Sequence, residues 1–293
     1  MTNHIISQVQ DSLLSAYLMS KQNSFLEKDQ VMNLLFQSNM NCELPVPAVL
    51  KPRPMWTGRQ LLSLLLPDSF HFNPSIEPDM NDDKVRIRHG ECLTGRWNKK
   101  LLGANERGLI HRLANLEGNE RAAEFISHLQ FLTNHYMTGH SFSIGIEDCC
   151  TTDAAQQKID ATLSRFMDDA TDMYGNEQSI NQKLNQSRDV AAKHVVSELD
   201  ENNAFLNMIE SGSKGSIINV AQITTCVGQQ NVSGKRIEPG PNGRTSAHFS
   251  KDDPTPEHRG YCRSSFMTGL KPKEFFAHSM GGRTGIIDTQ VNE

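Results

Sequence analysis

An α+β fold is predicted for this 293-residue chain, with mixed helix and strand over residues 1–140 and mainly helix beyond. Three observations carry the prediction. Short apolar clusters at helical spacing alternate with period-two stretches and proline-rich connectors up to about residue 140. Two long and strongly polar helical stripes follow from Asp153 and read as a projecting helical hairpin. From Pro272 a further helical pattern runs on towards the last residues. The length fits about two domains at about 100–200 residues each.

Each element has a local reason. Leu13, Leu14, Tyr17 and Leu18, then Val31, Leu34 and Leu35, predict two short helices within residues 10–37. Leu44–Pro54 holds four prolines, which remove donors and bias the preceding residues to extended geometry, so a non-helical connector is expected. Thr57 and Gln60 form a capping box that opens a Leu-rich helix, expected to stop at Pro67. Val85-Arg86-Ile87-Arg88 alternates in period two, and His89-Gly90 predicts a tight turn into Glu91–Trp97. Glu120–Tyr136 puts Phe125, Ile126, Leu129 and Leu132 on one face and is expected to end before Gly139. Asp153 is read as the cap of a helix striped by Ile159, Leu163, Phe166, Met167, Ala170 and Met173, broken at Tyr174-Gly175-Asn176. The second, longer helix then carries Ile180, Leu184, Ala191, Val195, Leu199, Leu206 and Ile209 to Ser211-Gly212. Ile217–Gly228 is expected to be helical, with Gln229-Gln230-Asn231 in a loop.

Composition excludes several classes. Hydrophobic residues make up 37% and charged residues 22%, too apolar for a disordered chain. The longest apolar run, near Leu61–Leu66, falls far short of the roughly 18 residues of a membrane span. Met1-Thr2-Asn3-His4 opens without the basic and apolar regions of a signal peptide, so neither secretion nor a membrane is expected. Six cysteines at 42, 92, 149, 150, 226 and 262 form no C-x-x-C pair, which points to a reducing compartment and no structural zinc site. The net charge of −5 is uneven. Residues 1–211 hold 19 basic and 27 acidic side chains, whereas residues 212–283 hold 10 and 5. That basic stretch inside an acidic total points to an anionic partner.

Local motifs taken singly favour structural roles. Gly212-Ser-Lys-Gly-Ser216 lacks the order of a phosphate-binding P-loop and reads as a glycine-hinged helix entry. Asn219, Gln222 and Cys226 form a polar stripe on the helix that follows, where amides commonly satisfy nearby backbone. His128, His135 and His140 lack the spacing of metal ligands. Asp148-Cys149-Cys150 lacks a partner His of any known signature, and the adjacent thiols oppose an ordinary disulfide. Asp82-Asp83, Asp168-Asp169 and Asp252-Asp253 lack the alternation that lets carboxylates converge on one metal. Gly281, Gly282 and Gly285 interrupt the last helical pattern at roughly 1 kcal/mol each. Either a neighbour approaches that backbone closely or the helix bends, and two helices joined by a glycine loop fit the local pattern as well.

In order, however, the motifs are specific. Gly212-Ser-Lys-Gly-Ser-Ile-Ile-Asn-Val-Ala-Gln222, Cys226-Val-Gly-Gln-Gln-Asn-Val-Ser-Gly-Lys-Arg-Ile237, Arg244-Thr245, His248-Phe249 and Asp252-Asp253 resemble the largest subunit of multisubunit DNA-directed RNA polymerases. Gly269-Leu-Lys-Pro-Lys-Glu-Phe-Phe276, His278, Met280-Gly-Gly-Arg283, Gly285 and Ile287-Asp-Thr289 resemble the start of that family's bridge helix. Val9–Leu14, Leu50–Gln60 and about 104–148 keep the order upstream. The form is nearer the eukaryotic, archaeal and large-DNA-virus enzymes than the bacterial one.

The resemblance implies a pore domain at 1–140, a funnel domain at 150–268 and the first half of the bridge helix at 269–293. It implies a lining for the secondary channel through which nucleoside triphosphates enter, with Lys214, Asn219, Gln222, Gln229, Gln230, Lys235 and Arg236 as channel or funnel residues. Phe276, His278, Gly281, Gly282, Arg283, Asp288 and Thr289 are the implied bridge-helix residues, and the use of that helix in translocation favours one continuous helix. Implied partners are the second-largest and other subunits, template DNA, the RNA transcript, nucleoside triphosphates and a cleavage-type elongation factor at the funnel. The family's Asn-Ala-Asp-Phe-Asp-Gly-Asp metal motif is absent, so no catalytic or metal-ligating residue is assigned. Mg2+ and Zn2+ are expected in the full subunit and not on this piece. The pattern closes at Glu293 without a stop signal, so a fragment is expected. Lys271, Thr284 and Ser246-Ala247 depart from the usual Thr, Glu and Leu-Pro, the mark of a divergent copy for which a viral source is one reading. The expected location is the nucleus, or the cytoplasm or virion for a viral copy. The competing reading is a non-catalytic, truncated paralogue that binds transcription factors through the funnel hairpin.

Overall fold

The computed structural model describes residues 5–40, 42–73, 84–173 and 176–291. Asp82-Asp83 and the expected break at Tyr174-Gly175 lie outside them. The chain folds into two compact units, residues 1–144 with 204–215, and residues 145–203 with 216–293.

In the first unit, α1 (Asp11–Ser20) leads to β1 (Phe25–Glu27), α2 (Lys28–Gln37), β2 (Met55–Thr57) and α3 (Gly58–Ser63). The two predicted short helices are α1 and α2. The proline-rich connector carries no helix, and Trp56 Nε1 donates to Pro45 O at 2.7 Å to fasten it. Thr57 caps α3 through the predicted box, its hydroxyl accepting from Gln60 N while Gln60 returns to Thr57 N. The helix stops at Ser63, four residues before Pro67. β1 and β2 pair antiparallel, as do β3 (Arg86–Arg88) and β4 (Glu91–Thr94). The β3–β4 turn is His89-Gly90, with φ of 50° and 73°, a left-handed pair that glycine relieves at its second position. α4 (Lys99–Leu102), α5 (Leu109–Glu117) and α6 (Asn119–His140) complete this stretch.

α6 runs through Gly139 instead of stopping before it. The chain turns at Ser141, whose φ of 57° ends the helix. Leu13, Tyr17, Leu61, Trp97, Leu109, Phe125 and Leu129 lie in one apolar cluster, each nearly or fully buried.

In the second unit, a short 3-10 turn (Glu147–Cys149) precedes α7 (Asp153–Thr171) and α8 (Glu177–Val196). The α7 cap is Thr152, not Asp153; its hydroxyl accepts from Ala155 N at 3.2 Å. α7 and α8 form the hairpin through Ile159, Leu163, Phe166 and Ala170 on one helix and Ile180, Leu184, Ala191 and Val195 on the other. α8 does not continue to Ser211. It ends at Val196, with Ser197 as its cap, and Asp200 accepts from Asn202 N at 2.7 Å to close a local turn. The chain then re-enters the first unit as α9 (Ala204–Ser211), so Leu206 and Ile209 belong to a separate helix.

The second unit resumes with α10 (Ile217–Thr224), β5 (Gly228–Gln229), β6 (Asn231–Val232), β7 (Lys235–Arg236), a 3-10 turn (Pro256–Arg259), β8 (Tyr261–Cys262) and α11 (Pro272–Gln290). α10 stops at Thr224; Gly228-Gln229 and Asn231-Val232 are strand residues instead of helix and loop, and Gln230 between them is loop as expected. β5 pairs antiparallel with β8, about thirty residues on, and β6 pairs with β7 in a local hairpin. Together these elements make an α+β chain with four two-stranded sheets among the described residues. α11 is one continuous helix.

Candidate functional site

The predicted residues fall into three groups, and only one group converges. Lys214 is exposed and belongs to the first unit, while the others belong to the second. On α10, Asn219 Oδ1 accepts from Ser216 N at 2.9 Å as a capping-box partner, and Gln222 Nε2 reaches Val227 O at 3.5 Å. Both amides therefore spend groups on nearby backbone.

The convergent group lies where α11 crosses β6 and β8. Gln229 is buried, and its Nε2 donates to Gln230 O and Arg259 O, both at 2.8 Å. Gln230 Oε1 lies 3.0 Å from His278 Nδ1 on α11. A Cβ on Gly281 would lie 3.3 Å from Gln230 Oε1 and 3.4 Å from Asn231 O, so this glycine answers a close backbone approach. Gly282 and Gly285 have no neighbour within 4 Å, and packing does not account for them. His278 also meets Phe266 edge-on at 5.7 Å.

Two carboxylates fix this corner. Glu274, 2% exposed, accepts from Arg263 N, Ser264 N and Lys271 N at 2.9–3.0 Å. Burial by itself raises its pKa, but the backbone hydrogen bonds outweigh burial and hold the carboxyl below its ordinary range. Lys271 thus serves as the cap despite lacking a hydroxyl: its backbone N–H donates to Glu274. Glu177, at the start of α8, bridges Arg236 and Arg259, each at 3.2 Å. Arg236 is 7% exposed, and burial lowers its pKa, with Arg259 adding to that against Glu177. It is a tie between β7 and α8, whereas Lys235 beside it is open to solvent.

Away from these contacts much of α11 is exposed. Phe275, Phe276, Ile286 and Ile287 are all exposed, as are Arg283 and Asp288. Thr289 Oγ1 turns back to Gly285 O at 2.8 Å.

Sequence reasoning missed a second feature, within the first unit. A cavity of about 830 Å³ is lined by Tyr17, Arg96, Lys99, Lys100, Asn105 and Glu210, among others. Arg96 Nη1 donates to Tyr17 Oη at 2.8 Å and to Glu210 at 3.0 Å, and Tyr17 donates to the same carboxylate. Burial first, then Glu210, pushes the Tyr17 hydroxyl up, so it stays a donor at neutral pH. Lys99 and Lys100 are exposed at its edge. The three basic residues lie within five positions of sequence, which was the available signal; the partners of Arg96 lie 79 and 114 residues away.

Among the described residues no three His, Cys, Asp or Glu side chains gather as a metal site. Burial, then Asp148 and Cys150, raise the Cys149 thiol, which disfavours the thiolate a nucleophile needs. No helix among the described residues is long and apolar enough to cross a membrane.

Residues 3–149 match the family model described as RNA polymerase Rpb1, domain 3, and residues 151–262 match RNA polymerase Rpb1, domain 4. The chain is 39% identical over 305 aligned positions to DNA-directed RNA polymerase II subunits RPB1-A and RPB1-B of Trypanosoma brucei brucei. In each case the match covers 97% of this chain and 17% of the relative. The chain belongs to the family of the largest subunit of DNA-directed RNA polymerase.

Proposed function

We propose that this chain supplies an internal segment of the catalytic subunit of a nuclear DNA-directed RNA polymerase, acting in DNA-templated transcription. The observation that carries the reading is the ordered match of two consecutive family domains within an alignment covering 97% of the chain. In this reading 1–140 forms the pore, 150–268 the funnel, and 269–293 the start of the bridge helix beside the active centre. Nucleoside triphosphates pass along the pore and funnel. Lys99, Lys100 and Lys214 of the first unit and, separately, Lys235 of the second supply exposed positive charge, which attracts polyphosphate. Gln230 and His278 set the distance between β6 and the helix, and Gly281 allows that distance to be short.

The chemistry of nucleotide addition is positioning and electrostatic stabilisation of the phosphoryl group, with metal ions neutralising developing charge. Those ions belong to other parts of the complete subunit, and no residue of this chain is assigned to hold them. The second-largest subunit, template, transcript and a cleavage-type factor at the α7–α8 hairpin are the partners this reading requires.

Affinity purification through a tag on the chain in its source cells tests the assignment. A stable complex containing a second-largest polymerase subunit is the expected result. Recovery of the chain with transcription factors but without that subunit would favour a non-catalytic paralogue.

A further inference from the structure

The adjacent thiols of Cys149 and Cys150 are absorbed by none of the roles above. They sit at the end of the 3-10 turn that precedes α7, with Cys150 exposed and Cys149 half-buried. Both side chains lean back over the same turn. Cys149 Sγ lies 3.7 Å from Gly145 O, and Cys150 Sγ lies 3.4 Å from Ile146 O. Two thiols on consecutive residues thus rest on consecutive carbonyls of one turn. Cys92, Cys226 and Cys262 are buried, and Cys42 is exposed.

Direct oxidation is a poor fate for this pair. Consecutive Cα atoms are about 3.8 Å apart across a trans peptide. Disulfides favour about 4.4–6.8 Å, so closing an S–S bond here strains the turn. A single atom bridging the sulfurs replaces the one S–S bond with two bonds and enlarges the ring by one member, which eases that strain. Soft sulfur donors select soft, thiophilic centres. The Cys149 thiol, raised by its burial, is mainly protonated at neutral pH. A partner that accepts both thiol protons onto its own oxygen suits it better than one that must meet a preformed thiolate.

We propose that Cys149 and Cys150 form a bidentate capture site for trivalent arsenicals and like thiophilic centres. The reaction balances without a redox step. An arsenoso group, R–As=O, and two thiols give R–As(S–Cys)2 and one water. Two As–S bonds form, the two S–H bonds and the As=O bond break, both protons leave on that oxygen, and arsenic stays trivalent. Capture braces the turn before the α7 cap Thr152, where Asp148 O also accepts from Asn203 Nδ2 at 3.1 Å.

The test treats the full chain, under native conditions, with phenylarsine oxide followed by excess glutathione, which strips arsenic held by one sulfur. Intact mass then reads what remains. The expected result is one retained phenylarsenic group per chain, mapped by digestion to the peptide that contains Cys149 and Cys150. It should be lost in Cys149→Ser and in Cys150→Ser, and kept in Cys42→Ser. Retention in both serine variants, mapping to Cys226 and Cys262, or no retained group on the wild-type chain would each overturn the proposal. The mapping uses the wild-type chain alone and stands even if a variant folds poorly.

Discussion

In the first unit one apolar cluster runs from Leu13 to Tyr136, whereas in the second the apolar side chains divide into smaller groups with polar groups holding the seams. One small group gathers Ala170, Ile180, Leu184 and Tyr261, and another gathers Val227, Ile237, Cys262 and Ala277. Between and around them stand Glu177 with two arginines, Glu274 with three backbone donors, and Tyr261 with Ser187 at 2.8 Å. Apolar burial is non-directional and tolerates small shifts, while each buried polar group needs its own partner. The first unit is therefore expected to fail through lost volume, and the second through lost partners or lost charge.

The strongest way to break the comparison is in the first unit. Trp97 is fully buried, and its indole N–H points at Cys92 Sγ, 3.3 Å away. Trp97→Ala should destabilise that unit by about 3–5 kcal/mol, read as a lowered denaturant midpoint. A loss under about 1 kcal/mol would mean the cluster is loosely packed.

The next effect is at Glu274. Glu274→Ala leaves the backbone N–H groups of Arg263, Ser264 and Lys271 without this acceptor and should cost roughly 1–3 kcal/mol. The pH dependence has a definite sign. A carboxyl whose folded pKa lies below its unfolded value adds stability that is complete above the unfolded value and is lost as pH falls through the folded one. Acid should thus weaken hydrogen-exchange protection around α11 once the pH drops below the ordinary glutamate value of 4.5, and Glu274→Gln should flatten that dependence.

Much of this was legible in the sequence, and the failures share one cause. The Thr57 box and the His89-Gly90 turn are set within four residues and were readable as such. The end of α8 was hidden because Leu199, Leu206 and Ile209 keep helical spacing across a turn that Asp200 closes. Gly139 misled because a single glycine costs only about 1 kcal/mol, which a helix packed as tightly as α6 absorbs. Gly228 and Gln229 read as helix end and loop because their strand partner, Tyr261-Cys262, lies some thirty residues on. Likewise the Tyr17–Arg96–Glu210 cluster joins three distant segments, and no local pattern announces it.

A smaller effect separates the glycines of α11. Gly282→Ala meets open space and should gain about 1 kcal/mol of helix stability. Gly281→Ala should gain less or lose, because its Cβ presses on Gln230 and Asn231. Matched thermal unfolding of the two variants reads the difference, and equal gains would remove the close approach from the account. The smallest effect belongs to Lys235, 78% exposed and 3.9 Å from Glu238. Lys235→Ala should leave stability unchanged within error, since such exposed pairs contribute little.

The central claim is that this chain works as part of a templated RNA-synthesising enzyme. The most direct measurement supplies the complex purified through this chain with a DNA template and four nucleoside triphosphates. The account predicts template-dependent RNA, and a fall in that activity when the chain is depleted from the same extract. A purified complex that makes no RNA, beside an extract whose synthesis is undiminished by depletion, would contradict it.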